Sequence, residues 1–267
     1  MRTALRLQPP WGRSWPGSDE PRKVVLPRED AFLAGLVMHA AVEHDAGVTQ
    51  SCCQPDYDAA FDAKSARRQL VAYRRSGPQG TTRRLLDALR IDGAPDATVL
   101  DVGSGIGIIG LELLAAGATA VINVDAAAAN VAVGRHEIER RRLSDRATFE
   151  HGDFVQLAER VEPADIVTLH RVVCCYGDWT ALIDTSASRA RRLYGLVYPN
   201  DRWWVRLAIR CGNLVLRLSG QSFRGYVHPE RRIDERIRAA GFERRLHHRG
   251  WAWQTLVYER VTHQPKD

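Results

Sequence analysis

The chain has 267 residues, 45% of them apolar and 26% charged, with 21 Gly and 12 Pro. That balance suits one large α/β domain or two small ones and excludes wholesale disorder. No run of 18 apolar residues occurs, which excludes a bilayer-spanning helix. The opening MRTALRLQPPWGRSW has neither the apolar core nor the small-residue cleavage site of an export signal. The five cysteines form two adjacent pairs, Cys52-Cys53 and Cys174-Cys175, plus Cys211. That is neither a disulfide ladder nor a C-x-x-C zinc pattern, so a reduced, cytoplasmic protein without a structural metal is expected. The net charge of +6 comes almost wholly from arginine, Lys occurring only at positions 23, 64 and 266. Pairs such as Arg67-Arg68, Arg83-Arg84 and Arg231-Arg232 diverge around a helix, and they read as solvated faces rather than a nucleic-acid-binding stripe.

In chain order, residues 1–28 carry five Pro and two Trp without periodicity and read as an unpacked leader. Residues 29–43 have apolar positions at helical spacing. His39 and Glu43 lie four apart there, but without a third ligand nearby the segment reads as a small amphipathic helix. Asp56 to Arg75 is a polar, Arg-rich helical stretch broken by Gly77-Pro78-Gln79-Gly80, after which Thr81 or Thr82 can cap the next helix. Residues 29–76 are thus expected to form a helical lid region ahead of a domain over 77–260, with a short tail over 261–267.

The domain alternates strand and helix signals. Thr98–Val102, Ala120–Val124, Ala147–Glu150, Asp165–Leu169 and Leu193–Tyr198 read as strands, with helical segments through Leu111–Ala116, Val131 to Arg142 and Trp179–Ser188. Phe242–His248 and Trp251–Glu259, around Arg249-Gly250, read as a closing hairpin. The fold class expected is a doubly wound, Rossmann-like α/β sheet of seven strands, mostly parallel with an antiparallel C-terminal hairpin.

VLDVGSGIGIIGLELL puts Gly103, Gly105, Gly107 and Gly110 between the first strand and its helix. Glycine lets the backbone turn sharply there and approach a ligand, and the helix start behind it offers free N–H groups. Two frames fit. Gly105-Ile-Gly107-Ile-Ile-Gly110, with Asp125 twenty residues beyond Gly105, matches the dinucleotide fingerprint. Asp101-Val-Gly103-Ser104-Gly105-Ile-Gly107 matches an acid followed by alternating glycines.

The second frame, with Asp125 closing the second strand and Gly152-Asp153-Phe154 after the third, resembles the class I S-adenosylmethionine-dependent methyltransferases over roughly residues 70–260. The resemblance implies adenosylmethionine as cofactor. Asp101 would hold its ammonium end, Gly103, Ser104, Gly105 and Gly107 would pass beneath the methionine portion, and Asp125 with Ala126 would face the ribose diol. Gly152, Asp153 and Phe154 would meet the adenine. At the end of the fourth strand, TLHRVVCCYGDW, the resemblance implies residues that face the methyl group. His170 there is either a general base or only a cofactor contact. Arg171 either anchors an acidic acceptor beside the cofactor or sits in solvent, and Tyr176 is a further catalytic candidate. Cys174-Cys175 read as small hydrophobes. The [N/D]-P-P-[Y/F] of base- and amide-methylating branches is absent at HRVV.

Residues 201–228 include DRWWVRLAIRCGNLVLRLS, in which Arg206, Arg210, Asn213 and Arg217 share one arc and most other positions are apolar. It reads as a substrate-cover helix, as an interfacial helix making peripheral membrane contact through 203–218, or as a helix packed on the sheet or on a dimer partner. The function expected is in-line methyl transfer to a small, hydrophobic acceptor by a monomer or homodimer. The alternatives are a non-catalytic adenosyl-ligand-binding protein and an NAD-linked oxidoreductase.

Overall fold

A computed structural model describes residues 57–92 and 94–261. The expected leader, the 29–43 helix and Cys52-Cys53 lie outside the described residues. Seven strands, β1 (Thr98–Val102), β2 (Ala120–Asp125), β3 (Ala147–His151), β4 (Ala164–His170), β5 (Ala190–Pro199), β6 (Phe242–Arg249) and β7 (Trp253–Arg260), form one sheet. Its order is β3-β2-β1-β4-β5-β7-β6. The first five strands run parallel, and β7 is antiparallel to both β5 and β6. The chain winds outward from β1 to β3, then restarts at β4 on the other side of β1. That reversal opens a crevice at the carboxyl ends of β1 and β4, where such sheets bind ligands.

Strand side chains alternate between two apolar layers. Val99, Val121, Phe149, Ile166, Val197 and Val257 join one core, and Leu100, Val102, Val124, Val167, Leu196 and Tyr258 join the other. The first layer is covered by α2 (Ala63–Ser76), α3 (Gly80–Asp92), α4 (Ile108–Ala115), α5 (Ala128–Arg140) and, further along the chain, Trp203–Leu218. The short helix Phe154–Leu157, the helix Trp179–Ser188 and the helix Glu230–Ala239 cover the second. With the one-turn α1 (Tyr57–Ala60) ahead of them, these later helices are α6, α7, α8 (Trp203–Leu218) and α9 (Glu230–Ala239) in chain order.

Two local expectations are corrected. The Arg-rich stretch is two helices rather than one, because Asp62 turns its side chain onto the Ser65 amide (2.8 Å) and caps α2 anew. Neither Thr81 nor Thr82 caps α3, which begins at Gly80. Both hydroxyls instead reach His170 Nε2, at 3.2 and 3.1 Å.

Glu137 of α5 fastens α2 to the domain. Its fully buried carboxylate accepts from Arg74 of α2 and from Arg140 and Arg141 at 2.7–2.9 Å. Burial alone would raise its pKa, but the three guanidinium groups outweigh that and hold it well below the usual glutamate range.

Candidate cofactor and acceptor site

Three acids stand at the carboxyl ends of adjacent strands. Asp101 on β1 is fully enclosed, and in register beside it on β4 is Thr168, whose hydroxyl donates to Oδ1 at 2.6 Å. Oδ2 of the same carboxylate is buried with no hydrogen-bond partner among the described residues. Burial, and then the neighbouring Asp125 charge, push its pKa up to about 7 against the Thr168 hydrogen bond. A buried acid with an idle oxygen can take a further donor, and a cationic donor restores its charge.

Asp125, the last residue of β2, is almost as enclosed. Oδ2 accepts from the Gly105 amide (2.7 Å), and Oδ1 from the Ala127 amide (2.9 Å) and the Asn130 side chain (3.2 Å). Burial still shifts its pKa upward. The glycine loop is pinned from behind by the Val124 carbonyl, which accepts from the amides of Gly103 (2.7 Å) and Ser104 (3.1 Å). Gly103 lies at φ +63°, and a Cβ there would meet Val172 at 2.3 Å, so only glycine fits between the loop and the end of β4. Gly105 is different. At φ +58° a Cβ would meet only Gln69, at 3.9 Å, so the loop backbone there borders open space between α2 and the sheet edge.

The third-strand turn is tied to the second: the Gly152 amide donates to the Asp125 carbonyl (3.0 Å), and His151 Nε2 lies 3.2 Å from the carbonyl of Ala126. Asp153 caps α6 by accepting from the Val155 amide at 2.9 Å, and the Tyr176 hydroxyl donates to its two carboxylate oxygens at 2.9 Å each. Phe154 is buried in the second core layer.

The far wall is the end of β4. His170 is half-buried, and its ring pKa is well below the ordinary histidine range because of burial and then the adjacent Arg171 charge, so it is neutral near pH 7. Arg171 adopts φ +63°, donates to Thr81 Oγ1 at 3.1 Å and stacks over the Trp253 ring at 4.7 Å. It is therefore built into the wall rather than solvated. Tyr176 has its pKa raised by burial and then by Asp153, which keeps the phenol protonated as a donor. The thiols of Cys174 and Cys175 lie 3.7 Å apart, and hydrogen bonding to Cys174 together with burial pushes the Cys175 thiol up, which disarms it as a nucleophile.

Several contributors carry no signal in the sequence. Thr168 is an ordinary strand threonine until its register with Asp101 is known. From α1, Tyr57 donates to the Cys175 carbonyl (3.3 Å), and Asp58 accepts from the Ala128 amide at the start of α5 (2.7 Å). The N-terminal helices thus reach both sides of the crevice from far along the chain. Among the described residues no cluster of three or more His, Cys, Asp or Glu could hold a metal ion.

Residues 99–193 match the family model described as a methyltransferase domain. No curated protein matches the chain. Among solved structures, magnesium protoporphyrin IX methyltransferase from Synechocystis PCC 6803 with bound SAH is 22% identical, with a TM-score of 0.56 over 80% of this chain and 90% of that one. An O-methyltransferase family protein from Burkholderia thailandensis is 17% identical, with a TM-score of 0.58 over 77% of this chain and 62% of that one. At these identities the structures share the fold. Over residues 99–193 the chain thus carries a methyltransferase domain, on a fold it shares with a methyltransferase solved with SAH bound.

Proposed function

We propose that the protein methylates a small, hydrophobic acceptor in the crevice between the glycine loop and the end of β4, with His170 as the general base. The observation that carries the reading is the idle, buried Oδ2 of Asp101, with Asp125 close enough to raise its pKa. Two neighbouring carboxylates suit a ligand with an ammonium and a sulfonium and repel a pyrophosphate, which speaks against the dinucleotide alternative.

In this reading Asp101 takes the ammonium end, Asp125 the ribose hydroxyls and Asp153 the adenine amine. When bound, adenosylmethionine supplies an electrophilic methyl group on a sulfonium that leaves without assistance. The protein then has to align the acceptor and exclude water, and orientation alone is worth several kcal/mol. His170, neutral at pH 7 and held by Thr81 and Thr82, takes the proton that an O–H or N–H acceptor loses. The apolar acceptor is read from Val172 and Cys175, which follow His170, and from Phe223, which packs edge-on against the Tyr57 ring whose hydroxyl donates to the Cys175 carbonyl.

Calorimetry with adenosylmethionine, adenosylhomocysteine and NAD tests the cofactor, and methyl-labelled donor incubated with extracted small metabolites tests the acceptor. Binding of NAD without either adenosyl ligand refutes the first part. Label appearing only in nucleic acid or protein refutes the second.

A further inference from the structure

We propose that α8 docks the protein on an anionic lipid surface. The helix buries Val205, Ile209, Gly212 and Leu216 against the domain. On the opposite side of the helix a second apolar row is open to solvent: Trp203 (75% exposed), Leu207 (52%), Leu214 (57%) and Leu218 (79%). These positions fall within an arc of about 60° and run about 22 Å along the helix. Trp251, from the β6–β7 turn and 54% exposed, stacks on Trp204 at 4.0 Å and widens the row at its N-terminal end.

The flanking charge selects the occupant. α8 contains no Asp or Glu, and Arg206, Arg210 and Arg217 form an exposed row next to the leucines, with Arg202 just ahead of them. Arg206 has Asp201 at 3.7 Å, whereas Arg210 and Arg217 have no ion-pair partner among the described residues. A tryptophan-ended apolar stripe bordered by unneutralised arginines fits a layer of apolar chains beneath anionic headgroups. No described helix is long and apolar enough to cross a membrane, so contact would be lateral. Asn213 points inward and holds the backbone of Gly225 at 2.8 Å, while the next amide, of Tyr226, donates to the Cys174 carbonyl (2.7 Å). A docked α8 therefore lies beside the end of β4, at the mouth through which a lipid-dissolved acceptor would enter.

Co-sedimentation of the full chain with vesicles of phosphatidylcholine alone and of phosphatidylcholine with phosphatidylglycerol tests this. Binding to the anionic vesicles should exceed that to the neutral ones at least tenfold and fall in high salt. The double variant Leu207→Asp/Leu214→Asp should lose it at least tenfold, and Arg210→Gln/Arg217→Gln should remove most of its salt dependence. Adenosylhomocysteine affinity of both variants, measured by calorimetry, should stay within twofold, which shows that they fold. It also separates this surface from the transfer reaction, since docking stands or falls without any adenosyl ligand. No vesicle binding, binding unchanged in the variants, or a parent dimer that Leu214→Asp dissociates would each overturn the proposal.

Discussion

The Gly105 amide donates to the Asp125 carboxylate at 2.7 Å, so the acid that ends the second strand and the glycine loop that follows the first are one mechanical unit. Replacing Asp125 by Ala removes the proposed ribose acceptor and also releases the loop. Adenosylhomocysteine affinity should fall at least tenfold, since one charge-assisted hydrogen bond contributes about 1.5–3 kcal/mol. Asp125→Asn should lose less, because its amide oxygen can still accept from Gly105. Calorimetric dissociation constants equal to the parent's for both variants would contradict the assignment.

Asp101 links ligand binding to pH. Its folded pKa of about 7 lies above the unfolded value, so between about pH 4 and 7 the folded state holds a proton that the unfolded state has lost. The ligand-free protein should therefore lose stability as pH rises through that window and level off above it. Asp101→Asn should melt higher than the parent at pH 8 and about equally at pH 4.5. Binding of a cationic ligand draws the carboxyl into its charged form. Calorimetry near pH 7 in buffers of different ionisation enthalpy should thus register proton release with the parent and none with the Asp101→Asn variant.

His170→Ala should cut kcat about a hundredfold while adenosylhomocysteine affinity stays within a few-fold. Because burial and Arg171 hold the ring pKa well below its ordinary value, kcat at saturation should not decline between pH 8 and 6.5. Arg171→Gln removes one of those two causes and should move the acidic limb upward. A loss of cofactor affinity equal to the loss of rate would make His170 a cofactor contact only.

Tyr176→Phe deletes the hydroxyl that donates to Asp153. Adenosyl-ligand affinity should weaken a few-fold, with kcat little changed. A hundredfold drop in kcat at unchanged affinity would instead give Tyr176 the catalytic role that its place in the sequence suggests.

Glu137→Ala should lower stability by about 1–3 kcal/mol and Tm by several degrees. The cost is less than for a fully buried ion pair, because Arg74 and Arg140 are half-exposed and can turn to water. The folded pKa of Glu137 is depressed, so its contribution is full above the ordinary glutamate pKa and is lost progressively as pH falls from there toward the lower folded value. Thermal melts of both proteins between pH 3 and 8 check magnitude and sign together.

The parallel sheet was legible because its strands are short apolar runs separated by helical periods, as in Thr98–Val102, and this placed Asp101 and Asp125 at the carboxyl ends of their strands. Phe154, next to Asp153, suggests an adenine platform from the sequence, and the structure seats its ring in the second core layer. Thr81 and Thr82 looked like caps because hydroxyls before an apolar run commonly are. The helix starts one residue earlier, which turns both hydroxyls toward His170. Long-range partners such as Thr168, Tyr57 and Asp58 could not be read at all, since register across strands and docking between distant helices leave no local pattern.

The last described strand, β7, is not at the rim of the sheet but between β5 and β6. The sheet therefore cannot close between β5 and β6 until Trp253–Arg260 has left the ribosome. Shortened by a premature stop before Trp253, the polypeptide would present β5 as a long, apolar open edge ready to pair with its neighbours. A product lacking β7 would thus aggregate rather than retain partial function, so the strand order couples the sheet's closure to its insertion.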